Sequence, residues 1–136
     1  PPPPGTLPDF GGAVTLEGFV EDLAAPLAES AVFLCPILSG SGVRMKLQES
    51  FAAGIPSVST TLGAEGLGSE DGRYCKLADD PAQFAQAIAS IFDHPAEAAE
   101  MARRARAFIE ESRGLVAMTQ RLLATYRRAL AAKRAS

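Results

Sequence analysis

Apolar residues change their spacing several times along this chain, and each change predicts an element. "AVTLEGFV" (residues 13–20) has the β-branched and apolar content of a strand with a turn at Gly18. "EDLAAPLAES" (21–30) predicts a short helix with acidic residues in its first turn, shortened or kinked by Pro26. "AVFLCPIL" (31–38) is one continuous apolar run, the mark of a strand covered on both faces. After the loop "SGSG", apolar residues recur at Val43, Leu47 and Phe51, which is helical spacing. Gly54 can end that helix in the left-handed conformation, and Pro56 blocks its continuation.

"PSVST" (56–60) predicts the next strand, residues 61–72 a long glycine-rich loop, and "RYCKLA" (73–78) a last short strand. Three helices follow. Residues 80–94 open with Asp80 as cap and Pro81 at the first helical position, and carry a stripe of Phe84, Ala87, Ile88, Ile91 and Phe92. Residues 95–112 repeat the pattern with Met101, Ala105, Phe108 and Ile109. Residues 114–133 are expected to bury Leu115, Met118, Leu122, Tyr126 and Leu130. The proline-rich start, residues 1–12, reads as a linker or the edge of something larger, because proline lacks the amide donor and fixes φ. Strands alternating with helices predict an α/β fold, a Rossmann-like parallel sheet with helices on both faces, over residues 13–132. Ligands in such sheets bind beyond the carboxyl ends of the strands, which puts the loops after Leu38 and Thr60 on the functional edge.

Length and composition fit one domain with a real core: 136 residues, 47% hydrophobic and 21% charged. No apolar run is long enough to span a bilayer, and the N-terminus has neither the basic start nor the apolar stretch of a signal peptide. Cys35 and Cys75 lack metal-ligand spacing and are expected to be reduced core thiols in a cytoplasmic protein, with a disulfide as the alternative. No metal site is expected at Glu65, Asp79 or Asp80, whose spacing signals none, and His94 is expected at the surface or as a cap. Charge is uneven. Residues 1–100 hold four Lys/Arg against fourteen Asp/Glu, a balance of −10, and residues 101–136 hold nine against two, a balance of +7. The basic end either meets an anionic membrane surface or a partner's acidic patch, or is a solvated helix face.

The chemistry concentrates in "SGSGVRMKLQESFAAGIPSVST", residues 39–60. A helix N-terminus offers unpaired N–H groups and partial positive charge to a phosphate. Gly40 and Gly42 would let a ligand approach the backbone, and Arg44 and Lys46 add full charges. Glu49 shares a helix face with Lys46 and could accept hydrogen bonds from vicinal hydroxyls. Equally, the glycines could serve only a turn, and Lys46 and Glu49 could be an exposed ion pair.

The order "GFVEDLAAPLAESAVFLCPI", then "GSGVRMKLQESFAAGIPSVSTTLGAEGL", resembles the C-terminal, donor-binding domain of GT-B-type glycosyltransferases of the retaining family 4 group (group 1), over about residues 13–130. The resemblance implies an incomplete half of a GT-B fold. It implies transfer of a glycosyl group from a nucleotide diphosphate sugar to an acceptor hydroxyl, with no further cofactor. It assigns Glu49 to the donor ribose and Gly40, Ser41, Gly42, Val43, Arg44 and Lys46 to the donor sugar and phosphates. Phe19 and Val20 fall near the nucleobase, with core packing the alternative for Phe19. Gly63 and Ala64 either line the same cleft or only make a turn. Ser41 stands where the first glutamate of the family's pair falls, so the sugar contact of that carboxylate is missing from this chain's pattern. The acceptor domain and the first donor-domain strands are also missing from the pattern, so the chain by itself is expected to be inactive. The family's strand order 3-2-1-4-5-6 would leave unpaired edges, so "AVTLEG" is expected either to pair within an altered sheet or to be exchanged in a homodimer. The expected partners are a nucleotide sugar and, through the basic C-terminal helix, the inner membrane face, with no nucleic acid. Competing readings are a nucleotide-sugar epimerase on the same scaffold, for which acid/base residues cannot be placed, and a non-enzymatic α/β nucleotide- or protein-binding module.

Overall fold

The computed structural model describes residues 11–135 apart from Val43 and Ser69, with the side chains of residues 134 and 135 also left aside. Most of the expected linker, and Val43 of the expected phosphate turn, therefore lie outside the described residues. In chain order the elements are α1 (Ala24–Ala28), β1 (Phe33–Cys35), α2 (Met45–Ala53), β2 (Ser57–Ser59), β3 (Lys76–Leu77), α3 (Pro81–Asp93), α4 (Pro95–Arg113) and α5 (Leu115–Ala135). The three strands form one parallel sheet in the order β1-β2-β3, with Cys35 beside Ser59 and Ser59 beside Leu77. The fold is thus α/β, as the alternating pattern predicts.

Helices cover both faces of this sheet. On one side α2 and the C-terminal half of α4 build a core of Cys35, Leu47, Phe51, Ala64, Leu67, Cys75 and Ala105, flanked by Phe108 and Ile109. On the other side Val58, Ile91, Ala98 and Met101 pack with Phe84, Ala87 and Ile88. Helix α4 serves both because its buried stripe is mostly alanine (Ala98, Ala102, Ala105), which lets it lie close to its neighbours. Serines at the middle strand have the same effect. Ser57 and Ser59 are buried, and the Ser57 hydroxyl sits 3.1 Å from that of Ser50 on α2. The Ser50 hydroxyl donates to the Leu47 carbonyl at 2.9 Å, so this polar contact is not left unpaired.

The punctuation behaves as the sequence suggests. Gly54 ends α2 at φ 74°, and its N–H donates to Phe51 O while Ile55 N–H reaches Ser50 O at 3.1 Å. Asp80 caps α3, its carboxylate accepting from the N–H groups of Ala82 and Gln83 at 2.9 Å each. The loop between β2 and β3 contains no helix among the described residues. It is fixed instead by side chains: Asp71 accepts from Leu77 N–H, Arg104 donates to the carbonyls of Gly72 and Arg73, and Arg113 donates to that of Gly66. Tyr74 stacks on Phe108 with ring centroids 4.7 Å apart.

Five expectations fail. Helix α1 has no acidic residue in its first turn, because it starts at Ala24, after Glu21 and Asp22. Residues 13–20 form no strand and are exposed up to Phe19, because no ladder among the described residues accepts their backbone groups; the altered-sheet pairing of "AVTLEG" does not occur within the chain. Strand β1 is not covered on both faces: α3 lies over β2 and β3, leaving Leu34 42% exposed at the sheet edge. Phe92 is exposed, being at the margin of the α3 stripe. The whole apolar stripe of α5 faces outward, since among the described residues the main packing of α5 is against α4 and leaves Leu115, Met118, Leu122, Tyr126 and Leu130 exposed.

Phe51, with no exposed surface at the centre of the α2 side, should be a main stability determinant. Phe51→Ala should lower unfolding free energy by about 3–5 kcal/mol, read as a reduced urea midpoint. Burial also pushes the Cys75 thiol up to about 12, helped by Asp71 and Cys35 nearby, and burial raises Cys35. Both thiols should therefore stay unreactive toward iodoacetamide at pH 8 and react only once urea unfolds the chain.

Candidate functional site

The site grows out of the β1–α2 connection. Leaving the carboxyl end of β1, the chain passes Pro36 and turns through Ser39–Gly42 before entering α2. Gly40 and Gly42 have φ of 119° and 96°, a region that favours glycine. Arg44 takes the N-cap position, yet no side chain caps the helix. The guanidinium folds back, donating to the carbonyls of Gly40 at 3.1 Å and Ser41 at 3.4 Å, while its buried Nε has no partner among the described residues. Arg44 thus shapes the turn and lends it positive charge. The exposed cation beside the helix tip is Lys46.

Lys46 and Glu49 share the outer face of α2, and both are exposed. No ion pair joins them among the described residues, so each is available to a ligand. A groove of about 300 Å³ runs between the β1 segment and Arg44–Leu47. A second, of about 450 Å³, lies between α1 with its preceding loop and the other side of α2, lined by Val20, Leu23, Leu27, Glu49 and Ala53. The two flank the stretch of α2 that bears the charged pair. From Met45 to Glu49 the helix rises about 6 Å, a span suited to a ribose and its 5′-phosphate.

The other sequence-nominated residues separate. Gly40, Ser41 and Gly42 are exposed at the helix tip. Val20 lines the second groove beside Glu49, but Phe19 is 92% exposed, outside the core. Gly63 and Ala64 are buried in a turn. A Cβ on Gly63 would meet the Ser59 hydroxyl and stand 2.9 Å from Cys35 O, so close packing, not a cleft, accounts for this glycine. His94 joins α3 to α4, with Nδ1 3.2 Å from Ser90 O.

Two features escaped the linear reading. Asp79 accepts from both the N–H and the hydroxyl of Thr61, at 2.8 and 2.7 Å, and these bonds hold its carboxyl below the usual range. This clamp ties the loop after β2 to the end of β3 across 18 positions, a separation no spacing rule detects. An apolar cavity of about 440 Å³ also borders the carboxyl ends of all three strands, lined by Pro36, Leu38, Thr60, Asp79, Phe84 and Ile88. Its lining is dispersed over four segments. Among the described residues no group of three or more His, Cys, Asp or Glu could hold a metal ion.

A family model described as glycosyl transferases group 1 matches residues 6–94, which include the glycine turn, α2 and both grooves. The chain belongs to this family. It is also 32% identical over 92 residues to a Klebsiella pneumoniae protein described as an uncharacterized 44.6 kDa protein in the cps region, covering 68% of this chain and 24% of that protein. The chain spans about a quarter of the length of that curated relative. No solved structure matches it. As a group 1 glycosyltransferase chain, it carries its charged face, Arg44 to Glu49, within the matched range, whereas α4 and α5 lie beyond it.

Because Glu49 is exposed and has no ion pair among the described residues, Glu49→Ala should leave the thermal midpoint within about 2 °C, as surface changes away from packed features cost within about 0.5 kcal/mol. A large drop in differential scanning fluorimetry would make Glu49 structural.

Proposed function

We propose that residues 18–54 bind the donor of glycosyl transfer, a nucleotide diphosphate sugar, as half of a GT-B cleft. One observation carries the reading: the tip of α2 is uncapped and open behind a glycine turn, with Lys46 and Glu49 unpaired on one exposed face. Unsatisfied N–H groups at a helix start attract an anion, and Lys46 adds a full charge to the helix dipole. The diphosphate sits there. Arg44 keeps the turn in shape and contributes its charge from below. About 6 Å further along, Glu49 accepts hydrogen bonds from the ribose hydroxyls, and the backbone around Val20 faces the base across the second groove.

The chemical contribution of these groups is electrostatic. As the glycosidic bond to the diphosphate breaks, negative charge grows on the leaving oxygens while the sugar gains oxocarbenium character. Preorganised N–H dipoles and Lys46 stabilise that charge more in the transition state than in the ground state. With Ser41 at the turn, no carboxylate of this loop approaches the sugar, so sugar selection falls to groups outside it. The acceptor and its activating base belong to the facing half of the cleft, and the chain alone binds donor without turning it over.

Thermal shift with UDP, GDP, ADP and their sugars tests the reading. One nucleotide should raise stability by about 2.7 kcal/mol at 100 times its dissociation constant. Lys46→Ala and Glu49→Ala should each weaken that response while leaving the unliganded midpoint in place. If no nucleotide shifts the midpoint, or if the variants respond like the parent, the donor-binding reading fails and a protein-binding module replaces it.

A further inference from the structure

The β1–β2 ladder ends at the pair Cys35 and Ser59, and the next residue continues it with its side chain. Thr60, at the carboxyl end of β2, is 3% exposed. Its hydroxyl donates to the Ile37 carbonyl at 2.6 Å and accepts from the Gly63 N–H at 3.0 Å. Its own N–H donates to the Cys35 carbonyl at 3.3 Å. One buried hydroxyl therefore ties together two connections, the one leaving β1 and the one leaving β2. Its donor and an acceptor site are both engaged, which fixes the rotamer.

Neighbours brace this residue. The Thr60 carbonyl accepts from the Ser59 hydroxyl at 2.9 Å and from the Ala64 N–H at 3.0 Å. Asp79 holds the next residue through the N–H and the hydroxyl of Thr61. Gly63 comes in so closely that a Cβ on it would stand 3.0 Å from the Thr60 hydroxyl oxygen.

This knot reaches the α2 site through Ile37. Two residues later the chain enters the Ser39–Gly42 turn, where Gly40 and Gly42 have positive φ. Glycine has more backbone freedom to lose than any other residue, so such a turn keeps one shape only when both its ends are held. Leu47 and Phe51 pin α2, and with it the exit of the turn. Arg44 braces the middle through the carbonyls of Gly40 and Ser41. The Thr60 hydroxyl holds the entrance.

We propose, building on the donor-binding reading above, that Thr60 is a positioning residue of the glycine turn: its hydroxyl sets the shape of the phosphate-binding tip of α2 before a ligand arrives, with Thr61 and Asp79 as its brace. Thr60 acts on the ligand through the backbone of Ile37 and not by contact. A preset turn costs the ligand little ordering. Without the hydroxyl, binding has to order the turn as well, and affinity falls although no ligand contact has been removed.

Isothermal titration of the full chain with UDP, GDP and ADP, well below the unfolding midpoint of every variant, tests this. Thr60→Val keeps the shape of the side chain and loses the hydroxyl. It should weaken binding of the nucleotide that the parent prefers on the order of tenfold, the scale of ordering a short segment on binding. Thr60→Ser keeps the hydroxyl and should restore the parent's affinity. Thr61→Ala loses one bond to Asp79 at unchanged charge and should weaken binding in the same direction, about two- to threefold. Ile91→Val, a loss of packing on the α3 side of the sheet, should lower the midpoint and leave the affinity unchanged. A Thr60→Val variant that binds like the parent overturns the positioning role and leaves the donor-binding reading standing. So does a Thr60→Ser variant as weak as Thr60→Val, or an Ile91→Val variant that loses affinity along with stability, since either makes Thr60 a stability residue only. Should Thr60→Val fail to fold, Thr61→Ala decides, and parent-like affinity there overturns the role. If the parent binds none of the three nucleotides, the donor-binding reading fails and the positioning role fails with it.

Discussion

The structure depends on the burial of one three-residue strand. Ser57, Val58 and Ser59 are all buried, β1 pairs with all three and β3 with Val58 and Ser59, so the other elements are positioned by how they meet β2. A strand in that position can lose its backbone donors to water nowhere, and the cost of an unpaired buried amide holds both ladders in register. Its side chains set the distances. Two serines on the α2 side leave room for the helix to come down onto the sheet, and their hydroxyls are satisfied within that contact by Ser50, Ile55 and Thr60. Val58 on the other side anchors α3 and the first half of α4.

Placement of α2 follows from this and creates the site. The helix is pinned at its centre by Leu47 and Phe51 and closed at its C-terminus by Gly54. Its start is therefore held beside the carboxyl end of β1, with no side-chain cap among the described residues. The glycine turn supplies the left-handed residues needed to bring the chain round, and the Arg44 guanidinium braces that turn through two carbonyls. A rigid, uncapped helix start suits catalysis by electrostatics, because its dipoles need no reorientation as charge develops. Buried apolar contacts and exposed charge thus occupy opposite faces of nine residues.

Much of this was legible in the linear pattern, and the failures have a common physical cause. Helix α2, its glycine stop, the Asp80 cap and the alternation of strands with helices are local features, fixed by side chains within a few positions of each other. Misjudged segments were those whose state depends on a neighbour. "AVTLEGFV" has strand composition, yet a strand exists only where another chain segment completes its ladder. Periodicity in α5 specifies a helix but not its burial, because an apolar stripe says that a face needs cover and not what supplies it. Leu34 is exposed for the same reason at the edge of the sheet.

What the sequence determined alone was the set of helices, the order of elements from α1 onward and the nomination of residues 40–49, because helical period, capping and glycine placement act over one or two turns. Only the tertiary structure decided that Arg44 turns inward while Lys46 and Glu49 are exposed with no ion pair among the described residues. It alone buried Gly63 against Ser59 and Cys35, and clamped Asp79 to Thr61. Each of those outcomes turns on which distant backbone atom lies within about 3 Å, a distance set by packing around β2 and not by any spacing along the chain.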